Sequence, residues 1–168
     1  MPQSAVRAKR IPTRNLVQLD AVRHKLALVW LAGAGICITL VVVQSLMGRY
    51  QEMTQDAWGW LLPTIMPSLG MIVSVLGYSA LDPMFSRAVV RKTFFQVAIW
   101  LSLAYLFLIL LTILIQPFAA GDAKAAIQLM HTSNLWLGPI QGLVVSALGV
   151  LFVSKKDDPG GDVVPAIQ

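Results

Sequence analysis

Residues 94–115 read FFQVAIWLSLAYLFLILLTILI, a stretch of 22 residues without a single Asp, Glu, Lys, Arg or His. At about 1.5 Å per residue, a helix of this length spans the roughly 30 Å hydrocarbon core of a bilayer. Three further stretches are similarly long and uncharged, namely residues 26–47, 58–81 and 135–153. The sequence therefore predicts an all-α integral membrane protein, folded as a bundle of four transmembrane helices.

The composition supports this interpretation. Of the 168 residues, 57% are hydrophobic and only 12% are charged, about half the charge of an ordinary soluble domain. Helices buried in a soluble bundle would each need a polar stripe facing water, and none of the four stretches has one. The partner that the composition implies is the lipid bilayer.

The basic residues predict the orientation. Eleven of the 13 Lys and Arg residues fall on one side of the four spans, and only Arg49 and Lys124 fall on the other. Basic residues in short loops remain cytoplasmic, so both termini are expected inside, in a multi-pass protein of the plasma or inner membrane. The eleven are Arg7, Lys9, Arg10, Arg14, Arg23, Lys25, Arg87, Arg91, Lys92, Lys155 and Lys156.

Aromatic residues near the ends of the spans are expected in the headgroup layers. Tyr50, Trp58, Trp60 and Trp136 would form the outer belt, with Trp30 on the inner side.

Three regions follow from these patterns. Residues 1–25 form a cytoplasmic basic arm ending in a short amphipathic helix between Thr13 and Lys25, residues 26–153 the transmembrane domain, and residues 154–168 a flexible cytoplasmic tail. Asp82–Pro83 is expected to end the second span. Asp122 is expected to cap a separate short helix over residues 123–130 on the outer surface. Topology accounts for the basic arm, so no nucleic-acid partner is expected.

Small residues distinguish the spans. The third span has bulky side chains all round, which favours lipid exposure, whereas the second and fourth carry small residues at four-residue spacing. Such a face lets another helix approach closely, although glycine is also common in membrane helices generally. We expect a seam between spans two and four, or between protomers. The predicted packing residues are Gly70, Ser74, Gly77, Gly138, Gly142, Ser146 and Gly149.

Two prolines mark the second span. Pro63 and Pro67 lack N–H groups, so the carbonyls of Gly59 and Pro63 lose their helical partners, and Thr64 and Ser68 are placed to compensate. Pro139, Asn134 and Gln141 fall at the same predicted depth. This pattern indicates either a partly polar outer vestibule or a kinked helix that packs well.

The sequence shows no charged residue within a span, no catalytic pairing and no metal or phosphate motif, so no enzyme, cofactor or metal site is expected. The leading hypothesis is a non-enzymatic protein that acts through helix–helix association, as a homo-oligomer or as the membrane subunit of a larger complex with a membrane or cytoplasmic partner. The alternative is an oligomeric pore or membrane-perturbing effector lined by spans two and four. A third option is a carrier for an uncharged solute.

Overall fold

The computed structural model describes residues 16–81, 89–119 and 121–153. Four long helices dominate it: α1 (Leu19–Leu46), α2 (Thr54–Leu81), α3 (Lys92–Ala119) and α4 (Ala123–Val153). The segments long and apolar enough to cross a membrane are Ala21–Leu46, Gln51–Gly77, Lys92–Phe118 and Ala123–Leu151. The predicted architecture of four apolar helices is confirmed. The predicted basic arm as far as residue 15, the proline stop at Asp82–Pro83 and the tail from residue 154 lie outside the described residues.

The helices form a four-cornered bundle. α1 packs against α2 and α3, and α4 packs against the same two helices, so α2 and α3 occupy opposite corners. α1 and α3 run parallel to each other, because Gln44 near the end of α1 reaches Ile113 near the end of α3. α2 and α4 run in the opposite direction, because Arg23 at the start of α1 meets Leu151 at the end of α4.

A short two-stranded ribbon lies at the N-terminal ends of α1 and α3. β1 (Leu16–Gln18) pairs antiparallel with β2 (Val89–Arg91), with Val17 opposite Val90. We call this end of the bundle the strand end. The amphipathic helix predicted between Thr13 and Lys25 was expected to run into the first span. The residues from Leu19 are indeed helical and continuous with that span, but residues 16–18 are a strand, and residues 13–15 lie outside the described residues. Sheet pairing with a distant segment overrode the local helical pattern.

The opposite end, which we call the loop end, carries the α1–α2 connection and residues 121–122. After Gly48, at a φ of 70°, the chain makes a 3₁₀ turn at Gln51–Met53 and enters α2. Asp122 accepts a hydrogen bond from the Ala125 N–H at 2.7 Å, which confirms the predicted cap. The capped helix is not separate, however. It is the first part of the 31-residue α4, and it packs on the bundle through buried Ala126 and Met130.

The core contains most of the aromatic residues that the sequence assigned to the headgroup layers. Trp30 and Tyr50 are 0% exposed and Trp60 is 2% exposed, whereas Trp58 is half-buried and Trp136 is exposed. For Trp30, Trp60 and Tyr50 the prediction of a belt position is wrong. Position along a span cannot tell which side of the helix a ring occupies, and here these rings fill the space between helices.

The third helix is also less exposed than its composition predicts. One third of its apolar span is buried, the same share as in α1 and α2, whereas α4 has 22%. α3 touches both α1 and α4, and its bulky residues fill those contacts. The least enclosed helix is thus α4, which carries exposed Gly138 and Gly142.

Gly33 marks a close contact between α1 and α3. A Cβ at this position would lie 2.8 Å from Leu106 Cδ1, whereas at Gly35 it would meet nothing within 4 Å.

We expect Gly33→Leu to lower the free energy of unfolding by about 1–3 kcal/mol, because the new side chain must displace the Leu106 side chain of α3 from its packed position. Gly35→Leu, the matched control on the same helix, should change it by less than about 0.5 kcal/mol. Denaturant titration in detergent micelles, followed by circular dichroism, measures both. Equal stability of the two variants would contradict the contact.

Candidate functional site

Two prolines, Pro63 and Pro67, lie inside α2, and a side chain of α4 reaches this predicted kink. Pro67 has no N–H, so the carbonyl of Pro63 has no donor within its own helix. Gln141 supplies one, because its Nε2 lies 3.1 Å from the Pro63 oxygen and 3.2 Å from the Thr64 oxygen. Gln141 therefore links α4 to the kink and replaces the hydrogen bond that the proline removes.

A second side chain reaches the same turn from the opposite corner. The hydroxyl of Tyr105 on α3 donates to the Thr64 carbonyl at 2.9 Å, across the centre of the bundle. The ring of Trp30 on α1 packs against the Tyr105 ring, with 6.0 Å between the centroids. All four helices meet at this level, and side chains of α3 and α4 converge on one carbonyl of α2.

The two hydroxyls that the sequence assigned to the kink behave differently. The Thr64 hydroxyl donates to the Trp60 carbonyl of its own helix at 2.6 Å. The Ser68 hydroxyl is fully buried and has no hydrogen-bond partner within the described residues. The freed carbonyl of Pro63 is satisfied by Gln141 instead, which the sequence placed at the correct level but could not assign to a partner.

A glutamine also contacts a carbonyl freed by a proline at the loop end. Pro117, two residues beyond the predicted third span, lies inside α3 and leaves the Ile113 carbonyl without its helical donor. Gln44 Nε2 of α1 lies 3.3 Å from that oxygen. A glutamine on a neighbouring helix thus compensates for a proline in both α2 and α3. The sequence signal, a glutamine on one span and a proline on another at similar depth, is visible only once the helix neighbours are known.

Gln44 belongs to a buried polar cluster. The Tyr50 hydroxyl donates to Gln44 Oε1 and lies 3.1 Å from Gln116 Oε1, and Arg49 Nη2 lies 3.0 Å from the Gln116 carbonyl. Tyr50 and Gln116 are both 0% exposed. The cluster joins the α1–α2 connection to the end of α3. Sequence analysis missed it, because Gln116 and Arg49 appeared to be ordinary loop residues.

Burial raises the pKa of the Tyr50 hydroxyl to about 12, and the positive charge of Arg49 partly opposes this. The hydroxyl therefore keeps its proton at physiological pH and remains a hydrogen-bond donor.

An arginine is buried at the strand end. Arg23 is 1% exposed, and its Nε lies 3.4 Å from the Leu151 carbonyl. The last carbonyls of a helix lack intrahelical donors and carry partial negative charge, so a guanidinium is well placed there. Arg23, which the sequence grouped with the exposed charges of the basic arm, joins α1 to the end of α4.

The predicted packing residues lie outside the bundle. On α2 and α4 all are exposed except Gly149, which is half-buried, and a Cβ at any of the five glycines would meet nothing within 4 Å. α2 and α4 are neighbours, but their buried faces are built from larger residues: Leu61, Ile65 and Ile72 on α2, and Leu137, Val144 and Leu148 on α4. The small residues therefore do not form a seam within one chain, and a seam between protomers stays a prediction. The residues in question are Gly70, Ser74, Gly77, Gly138, Gly142, Ser146 and Gly149.

The predicted vestibule residues do not line one internal space. Pro63, Pro67, Asn134 and Pro139 are exposed on the outside of the bundle. Thr64 and Ser68 are buried, and Gln141 lies half-buried between α2 and α4. Within one chain this arrangement favours the kinked helix that packs well over the vestibule.

In the described part of the chain, no group of three or more His, Cys, Asp or Glu residues is placed to hold a metal ion. Comparison of the chain with known protein families, with curated proteins and with solved structures found no match.

We expect Gln141→Leu to lower the free energy of unfolding by about 1–2 kcal/mol, because it leaves the carbonyl of Pro63 without a donor in a setting that offers no water to replace it. The same change should cost less in a Pro67→Ala background, by at least about 0.5 kcal/mol, because the restored N–H can serve that carbonyl. Unfolding titrations of the wild type, the two single variants and the Gln141→Leu/Pro67→Ala double variant complete this double-mutant cycle.

Gln128→Leu is the matched control, since Gln128 is an exposed glutamine on the same helix. An equal cost of Gln141→Leu in both backgrounds would show that Gln141 does not act on the proline kink.

Proposed function

We propose that this chain is a four-pass protein of the plasma or inner membrane, with both termini in the cytoplasm. It acts without enzymatic chemistry, by associating with a second copy of itself through the outer faces of α2 and α4. The observation that carries the proposal is the stripe of small residues on α4, which the packing of one chain leaves free.

Insertion into a bilayer is supported by the surface of the bundle. Large apolar side chains are exposed on all four helices, including Leu28 at 68%, Trp100 at 71% and Leu135 at 76%. A soluble protein seldom leaves such a continuous apolar surface in contact with water. Lipid chains are the solvent that suits it.

The orientation is supported by the charges at the two ends. The strand end carries Lys25, Arg91 and Lys92, whereas the loop end carries Arg49 and Lys124. With the basic arm and tail of the sequence added to the strand end, the positive-inside rule assigns that end to the cytoplasm.

We expect a single cysteine at Glu52→Cys to react with a membrane-impermeant maleimide in intact cells. Lys156→Cys should react only after the cells are permeabilised. The unmodified chain is the control, because its single cysteine, Cys37, is buried. The opposite labelling pattern would reverse the orientation.

Self-association is supported by the outward position of the small residues. Gly138, Gly142 and Ser146 recur every four residues and are all exposed. Apolar burial gives little drive for association inside lipid, so helices there associate by close packing, and small residues allow the closest approach. α4 is also the least buried helix, which leaves it the most surface for a partner.

We expect Gly142→Leu to abolish or strongly reduce the oligomer, because the leucine side chain holds the second helix away. Gly35→Leu is the matched control, since Gly35 is an exposed glycine of α1 with nothing within 4 Å of its Cβ position. Subunit counting by single-molecule photobleaching in liposomes measures both. A wild-type chain that is monomeric, or a Gly142→Leu chain that still assembles, would contradict self-association. Capture of a different membrane protein through the same glycine would favour the subunit hypothesis.

The pore hypothesis keeps one supporting observation. Pro63, Pro67 and Asn134 are exposed on the outside of the bundle, so any pore that they line must form between protomers. Conductance across planar bilayers that is lost in Gly142→Leu would favour this second function.

A further inference from the structure

The centre of the bundle contains hydroxyl groups that its own helices do not satisfy. Ser68 on α2 is 0% exposed and Ser102 on α3 is 1% exposed, and neither Oγ has a hydrogen-bond partner among the described residues. Seven serine and threonine side chains on the described helices instead donate to a backbone carbonyl three or four residues earlier. These are Thr39, Ser45, Thr64, Thr112, Thr132, Ser133 and Ser146.

The structure gives a reason for the exception at Ser68. Its usual acceptor is the carbonyl of Thr64, four residues earlier. That oxygen already accepts from the Tyr105 hydroxyl and from Gln141 Nε2. A carbonyl oxygen has two lone pairs, so the Ser68 hydroxyl must find a partner elsewhere.

The two serines lie in the same layer of the bundle. Ser68 follows Thr64 by four residues, about 6 Å along α2, and Ser102 precedes Tyr105 by three residues, about 4.5 Å along α3. Since α2 and α3 run in opposite directions, both serines are displaced from the Tyr105–Thr64 hydrogen bond toward the strand end. They face the centre from opposite corners.

The other two helices place short side chains near this layer. Ala27 of α1 lies one turn from Trp30 toward the strand end. Val144 of α4 lies one turn from Gln141 in the same direction. Both residues are buried. No residue of these four is larger than valine. The indole N–H of Trp30, one turn away against the Tyr105 ring, is also buried without a hydrogen-bond partner among the described residues.

We propose that this layer is a binding site for one ordered water molecule, which bridges Ser68 Oγ and Ser102 Oγ and accepts from the Trp30 indole. Water is the ligand that fits, because the three groups are neutral and a buried water usually makes about three hydrogen bonds. The bound water joins α2 to α3 on the strand-end side of Pro63 and Pro67. This inference does not depend on self-association.

The test is a high-resolution structure of the full chain in a lipid environment. We expect density within about 3.2 Å of both serine oxygens, and its loss in the Ser68→Ala/Ser102→Ala chain. The proposal is overturned if the hydroxyls bond to each other, or each to a carbonyl of its own helix, with no density between them.

A double-mutant cycle on the unfolding equilibrium constant provides a second measurement. Ser68→Ala and Ser102→Ala should be coupled by at least about twofold, because each removes one partner of the same water. Ser68→Ala with Ser146→Ala is the control pair and should be additive, since Ser146 is exposed and bonds to its own helix. Additive effects of Ser68→Ala and Ser102→Ala would exclude a bridging water.

Discussion

A backbone carbonyl that loses its helical donor must find another one, and much of this bundle is arranged around that constraint. Pro67 frees the carbonyl of Pro63, and Pro117 frees the carbonyl of Ile113. In each case a glutamine on a neighbouring helix supplies the N–H: Gln141 from α4 and Gln44 from α1. The cost of an unmet carbonyl in a buried setting exceeds that of ordering one amide side chain, so each proline selects a partner helix and a register.

The hydrogen bonds to the Thr64 carbonyl link helices across the whole core. Its carbonyl accepts from Tyr105 and Gln141, which join α3 and α4 to α2, and Trp30 of α1 packs on Tyr105. Directed hydrogen bonds therefore fix the level of the four helices relative to one another. Apolar contacts alone would allow helices of such uniform composition to slide, because one leucine-rich turn packs much like the next.

The inside and outside of α2 and α4 are chemically different, although both faces are apolar. Large side chains such as Leu61 and Leu148 fill the interior, while Gly138 and Gly142 face outward. A small-residue face on the outside adds nothing to the stability of one chain. Such a face allows a helix of a second chain to approach closely. For this reason the proposed self-association involves α4.

Sequence analysis succeeded where the property depends on local composition. The four helices follow from charge-free length, and the cap at Asp122 follows from an acidic residue before a helix. It failed where the property depends on the direction that a residue faces. Trp30 and Trp60 were assigned to the headgroup layers but fill the core, and α3 was assigned to lipid but is as enclosed as α1 and α2.

The sequence by itself determined that the chain forms four long apolar helices, because an uncharged stretch of about 20 residues satisfies its own backbone only as a helix in lipid. Only the tertiary structure decided which helices are neighbours, which glutamine serves which proline, and that the small residues of α4 face outward. With apolar residues all round a helix, no periodic pattern marks the buried side. That side is selected by pairings between distant residues, such as Gln141 with Pro63 and Tyr105 with Thr64, which a linear pattern does not encode.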